Sequence, residues 1–196
     1  VQHQSVAHLV GVGDLRVQGR PIMVREMLSG KSVAERVFHS GPLPVTTALS
    51  AAMELAEALT EAHRAGALHL VLKPSNVFLD EKNHTKLVDF GLGQRWDTNG
   101  NAIYGDPRFL APEQLEGSLV SFRSDIYGLG ALLFFMLTGR PPFQGAGPTL
   151  FQQITTQPPQ PPSSLIPALE GLDQIDSLVL RAMEKLPAKR FLSVQH

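Results

Sequence analysis

Between positions 69 and 91 the chain gathers an imidazole, an ammonium, an amide and a carboxylate. The run is His69-Leu70-Val71-Leu72-Lys73-Pro74-Ser75-Asn76, followed by Asp89-Phe90-Gly91. Two short apolar runs, Val77-Phe78-Leu79 and Lys86-Leu87-Val88, lie between Asn76 and Asp89 and are joined by a polar turn from Asp80 to Thr85. That pattern predicts a tight β-hairpin. Pairing of its strands brings an amide and a carboxylate 13 positions apart into one neighbourhood. Two oxygen ligands on one side, with positions left open for phosphate, suit Mg²⁺ bound to a nucleotide. Taken singly, the same residues have plainer meanings. Asn76 is then a turn residue, Asp89 a strand-end cap and Lys73 a solvated charge.

Other tempting signatures fail on spacing. Gly30-Lys31-Ser32 looks like the tail of a phosphate-binding loop, but the first glycine it needs is Arg25. Gly11-x-Gly13 and Gly128-x-Gly130 lack their third glycine, at Arg16 and Leu133 respectively, and read as turns or helix packing. The seven histidines show no metal spacing, and zero cysteines exclude disulfides, thiolate zinc sites and a cysteine nucleophile. Gln157 to Pro167 holds five prolines and is expected to be extended; a connecting loop is the commoner meaning of such a stretch, and an SH3-type ligand the rarer one.

The elements that must position these residues follow from periodicity. Apolar runs at His8–Val12 and Pro21–Val24, separated by Gly13-Asp14 and Gln18-Gly19, predict a hairpin. Leu49, Ala52, Met53, Ala56 and Leu59 predict an amphipathic helix over Val45 to Arg64, stopped by Gly66. Gly91 to Gly105 is rich in Gly, Asn and Asp and reads as a loop. Ile126 to Leu137 is apolar on every side and predicts a helix buried all round. Ile175 to Lys185 predicts a last amphipathic helix facing inward through Ile175, Leu178, Val179 and Met183. The fold class is α+β, mostly helical.

A length of 196 residues fits one domain or a piece of a larger one. The net charge of −1 gives no basic field, so neither nucleic acid nor an anionic membrane surface is an expected partner. The longest uncharged apolar stretch, Ile126 to Gly139, has 14 residues, whereas a bilayer span needs about 20. No signal-peptide pattern opens the chain, and a cytoplasmic location is expected, with a membrane anchor outside it left open.

The order of the motifs carries more than any one of them. After the hairpin come Ala111-Pro112-Glu113, then Ser124-Asp125-Ile126-Tyr127-Gly128, then Arg190. Glu113 and Asp125 alone read as helix caps. Together the set resembles the C-terminal lobe of eukaryotic-type Ser/Thr protein kinases. Leu137-Thr138-Gly139-Arg140-Pro141-Pro142-Phe143 looks most like the bacterial branch. The resemblance implies a kinase-like C-lobe over 31–196, with a remnant of the smaller lobe and the hinge over 1–30. It further implies ATP and Mg²⁺ as cofactors and a protein as substrate or partner. Asn76 and Asp89 would be the metal-binding side chains and Lys73 the lysine that steadies the transferred phosphate. Glu26 and Met27 would border the nucleotide at the hinge, and Phe78 would form part of the floor beneath adenine. Glu113 and Arg190 look like a buried ion pair. Asp125 would accept N–H bonds from the His69 loop, and His69, Phe90 and Gly91 would be structural.

The chain departs from the family at linked positions. Val71 stands where the resemblance requires the catalytic aspartate, Leu70 where it requires arginine, and Gly105-Asp106-Pro107 where Gly-Thr-Pro is usual. Valine can neither accept nor orient a proton, and losing a positioned general base costs about 10²–10⁴ in rate. The glycine-rich loop, the strand lysine and its helix glutamate find no match, the chain beginning after them. Arg25 falls at the gatekeeper position, where a bulky charge would crowd or repel some ligands. These departures imply a pseudokinase that keeps Mg–ATP binding and regulates by binding protein. A weakly active Ser/Thr kinase and a nucleotide-free scaffold are the alternatives.

Overall fold

The computed structural model describes residues 1–15, 20–90 and 105–195. Gly91, most of the loop expected after it, and the Gln18-Gly19 turn lie outside the described residues. Two antiparallel sheets and a helical body make up the rest. Strand β1 (Leu9–Leu15) pairs with β2 (Arg20–Arg25). The sequence suggests a break at Gly13-Asp14, but cross-strand partners Ile22 and Pro21 carry the ladder through both. The expected second hairpin forms as β4 (Val77–Leu79) and β5 (Thr85–Leu87), with Val88 just outside it.

A short strand that the sequence left as a turn, β3 (Lys31–Ser32), adds to this hairpin in the order β3-β4-β5. Gly30 makes the approach possible. Its φ is +84°, and a Cβ there would lie 2.0 Å from the Leu79 carbonyl oxygen. Ser32 then caps α1 (Val33–Ser40). Its hydroxyl accepts from the Glu35 N–H, while the Glu35 carboxylate accepts from the Ser32 N–H at 2.8 Å.

Helix α2 (Val45–Arg64) has the bounds its periodicity predicts, but its buried face is rotated. Ala48, Ala51, Leu55, Ala58, Leu59 and Ala62 are buried, whereas Met53 is exposed and Leu49, Ala52 and Ala56 are half-buried. Four of the six buried residues are alanines, and only Leu59 belongs to the expected stripe. Leu49, Ala52, Met53 and Ala56 instead line an apolar groove of about 300 Å³ shared with Ile126, Leu178 and Phe191.

After the four-residue α3 (Pro112–Leu115), α4 (Phe122–Thr138) runs through the core with nearly every side chain buried. Gly128 and Gly130 serve helix packing. A Cβ at Gly128 would sit 3.2 Å from that of Leu72, and one at Gly130 only 2.7 Å from that of Ala182. Helices α5 (Gly147–Thr156) and α6 (Asp173–Ala182) complete the body. α6 ends before the expected Lys185, and Leu178, expected to face inward, is 44% exposed at the groove. The proline-rich stretch is extended only at first. Pro162 and Pro167 each open a 3-10 turn, and Pro159 and Pro162 are buried, so the segment is packed structure rather than a free ligand. No helix among the described residues is long and apolar enough to cross a membrane.

Gly30→Ala is expected to destabilise the protein by at least about 2 kcal/mol, since strain at positive φ adds to a backbone clash. Thermal unfolding measures it, and an unchanged melting temperature would show that β3 can separate from β4.

Candidate functional site

The site is organised by a carboxylate with no exposure to solvent. Asp125, in the first turn of α4, accepts the His69 N–H at 2.9 Å, the Leu70 N–H at 2.6 Å and the His63 Nε2–H at 2.8 Å. His63 comes from the last turn of α2, so one side chain ties α2, α4 and the loop between α2 and β4. The loop needs this hold, because Leu70 has φ +64°. A left-handed leucine costs roughly 1–2 kcal/mol. The Leu70 carbonyl also accepts from Gln114 Nε2 at 2.7 Å, and the Gln114 Oε1 accepts the Ala111 N–H. The strained peptide is thus clamped from both ends. Nothing in the sequence pattern singled out His63 or Gln114.

His69 lies buried between two backbone groups. Its Nε2 donates to the Val88 carbonyl at 2.9 Å and its Nδ1 accepts from the Val71 N–H at 3.3 Å. Burial pushes the imidazole's pKa down, against the nearby Asp125 charge, and the neutral ring satisfies both partners. Phe90 meets it edge-on with ring centroids 4.7 Å apart. Val71 is 7% exposed, and a Cβ on Gly105 would touch its Cγ1 at 3.4 Å. The side chain there is apolar and buried, while its backbone is held by His69 at the N–H and Asn76 at the carbonyl.

Asp106, the residue after Gly105, is locked to Arg108: it accepts Arg108 Nε through Oδ1 at 2.8 Å and Nη2 through Oδ2, and it caps the turn at Pro107–Phe109.

The hairpin brings Asn76 and Asp89 to its open end as its register dictates. Asn76 is buried, with Nδ2 donating to the Val71 carbonyl at 3.1 Å, and its own carbonyl accepts the Val88 N–H at 3.0 Å. Asp89 is left-handed at φ +64°, and its Oδ1 receives Arg25 Nη1 at 3.0 Å. Arg25 and Asp89 line a cleft of about 490 Å³ walled by Val6, Leu9, Val88 and Phe90. The Lys73 carbonyl accepts the Asn76 N–H at 2.9 Å, and its ammonium makes no hydrogen bond or ion pair among the described residues. Asn76, Glu26, Met27 and Phe78 are not among the residues lining this cleft. Glu26 accepts from the His8 N–H and from Lys86 Nζ at 2.8 Å, Met27 is 97% exposed, and Phe78 pairs with Ser32 and Lys86 in the β3-β4-β5 sheet.

The candidate metal ligands can be tested against a divalent ion. They supply one carboxylate and one amide, the carboxylate is already paired with a guanidinium, and no cluster of three His, Cys, Asp or Glu exists among the described residues. A hard dication wants several oxygen ligands with anionic charge among them. As arranged here, the pair does not fit such an ion.

Below the site, Glu113 and Arg190 meet in a buried two-point pair. Arg190 Nη1 and Nη2 donate to the two Glu113 oxygens at 2.6 and 2.8 Å. Ser124 Oγ donates to the same carboxylate at 2.7 Å. The remaining guanidinium N–H groups reach the carbonyls of Arg123, Glu184 and Lys185, and the cation lies 5.0 Å from the Tyr127 ring centroid. Nearby, burial pushes the Lys185 ammonium down to about 8 while it donates to the Ile154 carbonyl. Burial alone would raise the Glu113 carboxyl, but the hydrogen bonds and charge of Arg190, with Ser124, hold it below its ordinary value. Removing one partner of such a pair costs about 3–5 kcal/mol. Arg190→Met is therefore expected to lose that much in denaturant unfolding. Because the folded carboxyl is depressed, its contribution is complete above the ordinary value of 4.5 and is lost as pH falls through the folded value. Glu113→Gln should fall short of the parent at neutral pH and draw level in acid. A gap independent of pH would exclude the ion pair as its source.

Comparison with known proteins places these features in a wider set. The family model described as the protein kinase domain matches residues 1–193. The chain is 32% identical to a probable serine/threonine-protein kinase, CE0033, of Corynebacterium efficiens, over 97% of this chain and 31% of the relative. It is 31% identical to serine/threonine-protein kinase PknB of Mycobacterium tuberculosis, over 97% of this chain and 32% of that protein. The chain thus spans about a third of these relatives' length. The crystal structure of the Mycobacterium tuberculosis PknI kinase domain, a cysteine-to-alanine mutant, superposes with a TM-score of 0.77 at 26% identity. That match covers all of this chain and 69% of the other.

Proposed function

The chain belongs to the protein kinase domain family, bacterial Ser/Thr branch, and from that premise we propose that it is a pseudokinase domain, one that binds a nucleotide and regulates by binding protein. The observation that carries this reading is Val71. A buried valine beside Gly105 stands at the position where the family resemblance requires the catalytic carboxylate, and Asp106, the residue after Gly105, is fastened to Arg108. A substrate hydroxyl brought there meets no base at position 71, and loss of a positioned base costs about 10²–10⁴ in rate.

What remains favours binding over transfer. Lys73 is free to meet an anion, and the cleft at Arg25 and Asp89 has the 300–1,000 Å³ volume usual for a small-molecule site, at about 490 Å³. Residues 1–30 serve in this proposal as the small-lobe remnant and hinge, with Glu26, Met27 and Phe78 on the base side of the nucleotide. A divalent ion would meet Asn76 and Asp89 only after Arg25 leaves the carboxylate. The weak-kinase alternative rests on the retained Lys73, Asn76 and Asp89.

Phosphate transfer from labelled ATP to a protein substrate separates the two. The purified protein is expected to give no signal above its Asp89→Ala variant. A signal that Asp89→Ala abolishes would make the domain a slow kinase instead.

A further inference from the structure

Arg25 offers a charge arrangement that the proposed function leaves unused. Its guanidinium spends one N–H on Asp89 Oδ1, and its other N–H groups have no partner among the described residues. The side chain is 42% exposed at the mouth of the 490 Å³ cleft, so those donors are open to a ligand. The hairpin and the loop leading into it contribute Asp89, the neutral amide of Asn76 and the apolar Val71; Lys73 stands on the same loop as Asn76, its ammonium without a partner among the described residues. Among the described residues Arg25, Lys73 and Asp89, two are cations and one is an anion. Glu26 does not shift that balance, because Lys86 neutralises it.

We propose that Arg25 supplies the positive charge otherwise expected from a divalent ion, its guanidinium receiving the phosphates of an anionic nucleotide so that binding needs no metal. The inference rests on the nucleotide-binding reading above. A planar guanidinium with several free N–H groups matches phosphate oxygens in geometry, and charge-assisted hydrogen bonds are the strong ones. Asp89 acts in this arrangement as the counter-ion of Arg25, competing with phosphate for its N–H groups, rather than as a metal ligand. A dication approaching Asp89 would have to displace a cation while a second waits on the neighbouring loop, and the valine at position 71 offers it no further ligand.

Calorimetry with ATP, run once in EDTA and once in MgCl₂, tests this on the purified protein. The two dissociation constants are expected to agree within about threefold, a difference smaller than one good hydrogen bond. Arg25→Met, at an exposed position whose loss leaves the fold intact by circular dichroism, should weaken binding in EDTA by about 10–100-fold. Asp89→Asn, which keeps the left-handed backbone acceptable and releases Arg25, should bind ATP in EDTA as tightly as the parent or more so. Binding that appears only with Mg²⁺, or is lost in Asp89→Asn, would overturn the inference while leaving the nucleotide-binding reading intact. Unchanged binding in Arg25→Met would overturn it too. Failure of ATP to bind under every condition would remove the nucleotide-binding reading and this inference with it.

Discussion

A single buried carboxylate governs the geometry of the whole central region. Asp125 satisfies two backbone N–H groups of a loop that a left-handed leucine makes unfavourable, and its third partner, His63, fixes where α2 meets α4. An ionised group with no solvent exposure is tolerable only with its acceptor capacity filled, and here three donors fill it. The peptide at Leu70 could not hold φ +64° from its own preferences. From that fixed peptide the chain runs through Val71 and Lys73 to Asn76, and the β4–β5 hairpin returns it to Asp89. The positions of the candidate site are therefore set by Asp125 first and by local strand pairing second. The Glu113–Arg190 pair does comparable service lower in the body, joining α3, the start of α4 and the segment after α6.

Around this frame the charged side chains compensate one another. Valine at position 71 brings no charge, and the Arg25 guanidinium pairs with the Asp89 carboxylate. Asp106 adds nothing to the balance because Arg108 cancels it within its own turn. A frame kept by buried hydrogen bonds and a cleft with paired charge are separable properties. The first depends on Asp125 and Arg190, and the second on side chains at or near the surface.

The sequence conveyed some elements better than their packing. Helix α2 was legible to its ends, because a 20-residue amphipathic run between a proline and Gly66 has few other conformations open to it. Its inward face was not legible: two apolar stripes lie side by side on the helix, and burial selects the one carrying Ala48, Ala51, Leu55, Ala58 and Ala62 while Met53 stays exposed. β3 and α1 escaped notice because two residues of strand and eight of helix carry too little pattern. What fixes them is the Gly30 approach to Leu79 and the Ser32–Glu35 capping box. The prolines after α5 indicated an extended segment, yet only burial against the body folds part of it into 3-10 turns anchored by Asp176.

By itself the sequence determined the family, through the order of its motifs, and set a valine at position 71. Both are matters of residue identity, which no packing can alter. It also set Asn76 and Asp89 at the ends of one hairpin, since strand pairing is local. Only the tertiary structure decided what those two groups meet. Arg25 lies 64 positions from Asp89, and Gln114 lies 44 from Leu70. Such contacts follow from how β2, α3 and the loop before β4 come together in three dimensions, and no periodicity along the chain encodes them. The physical reason is range: propensity and pairing act over a few residues, whereas the charge balance of a cleft is the sum of side chains delivered by distant segments.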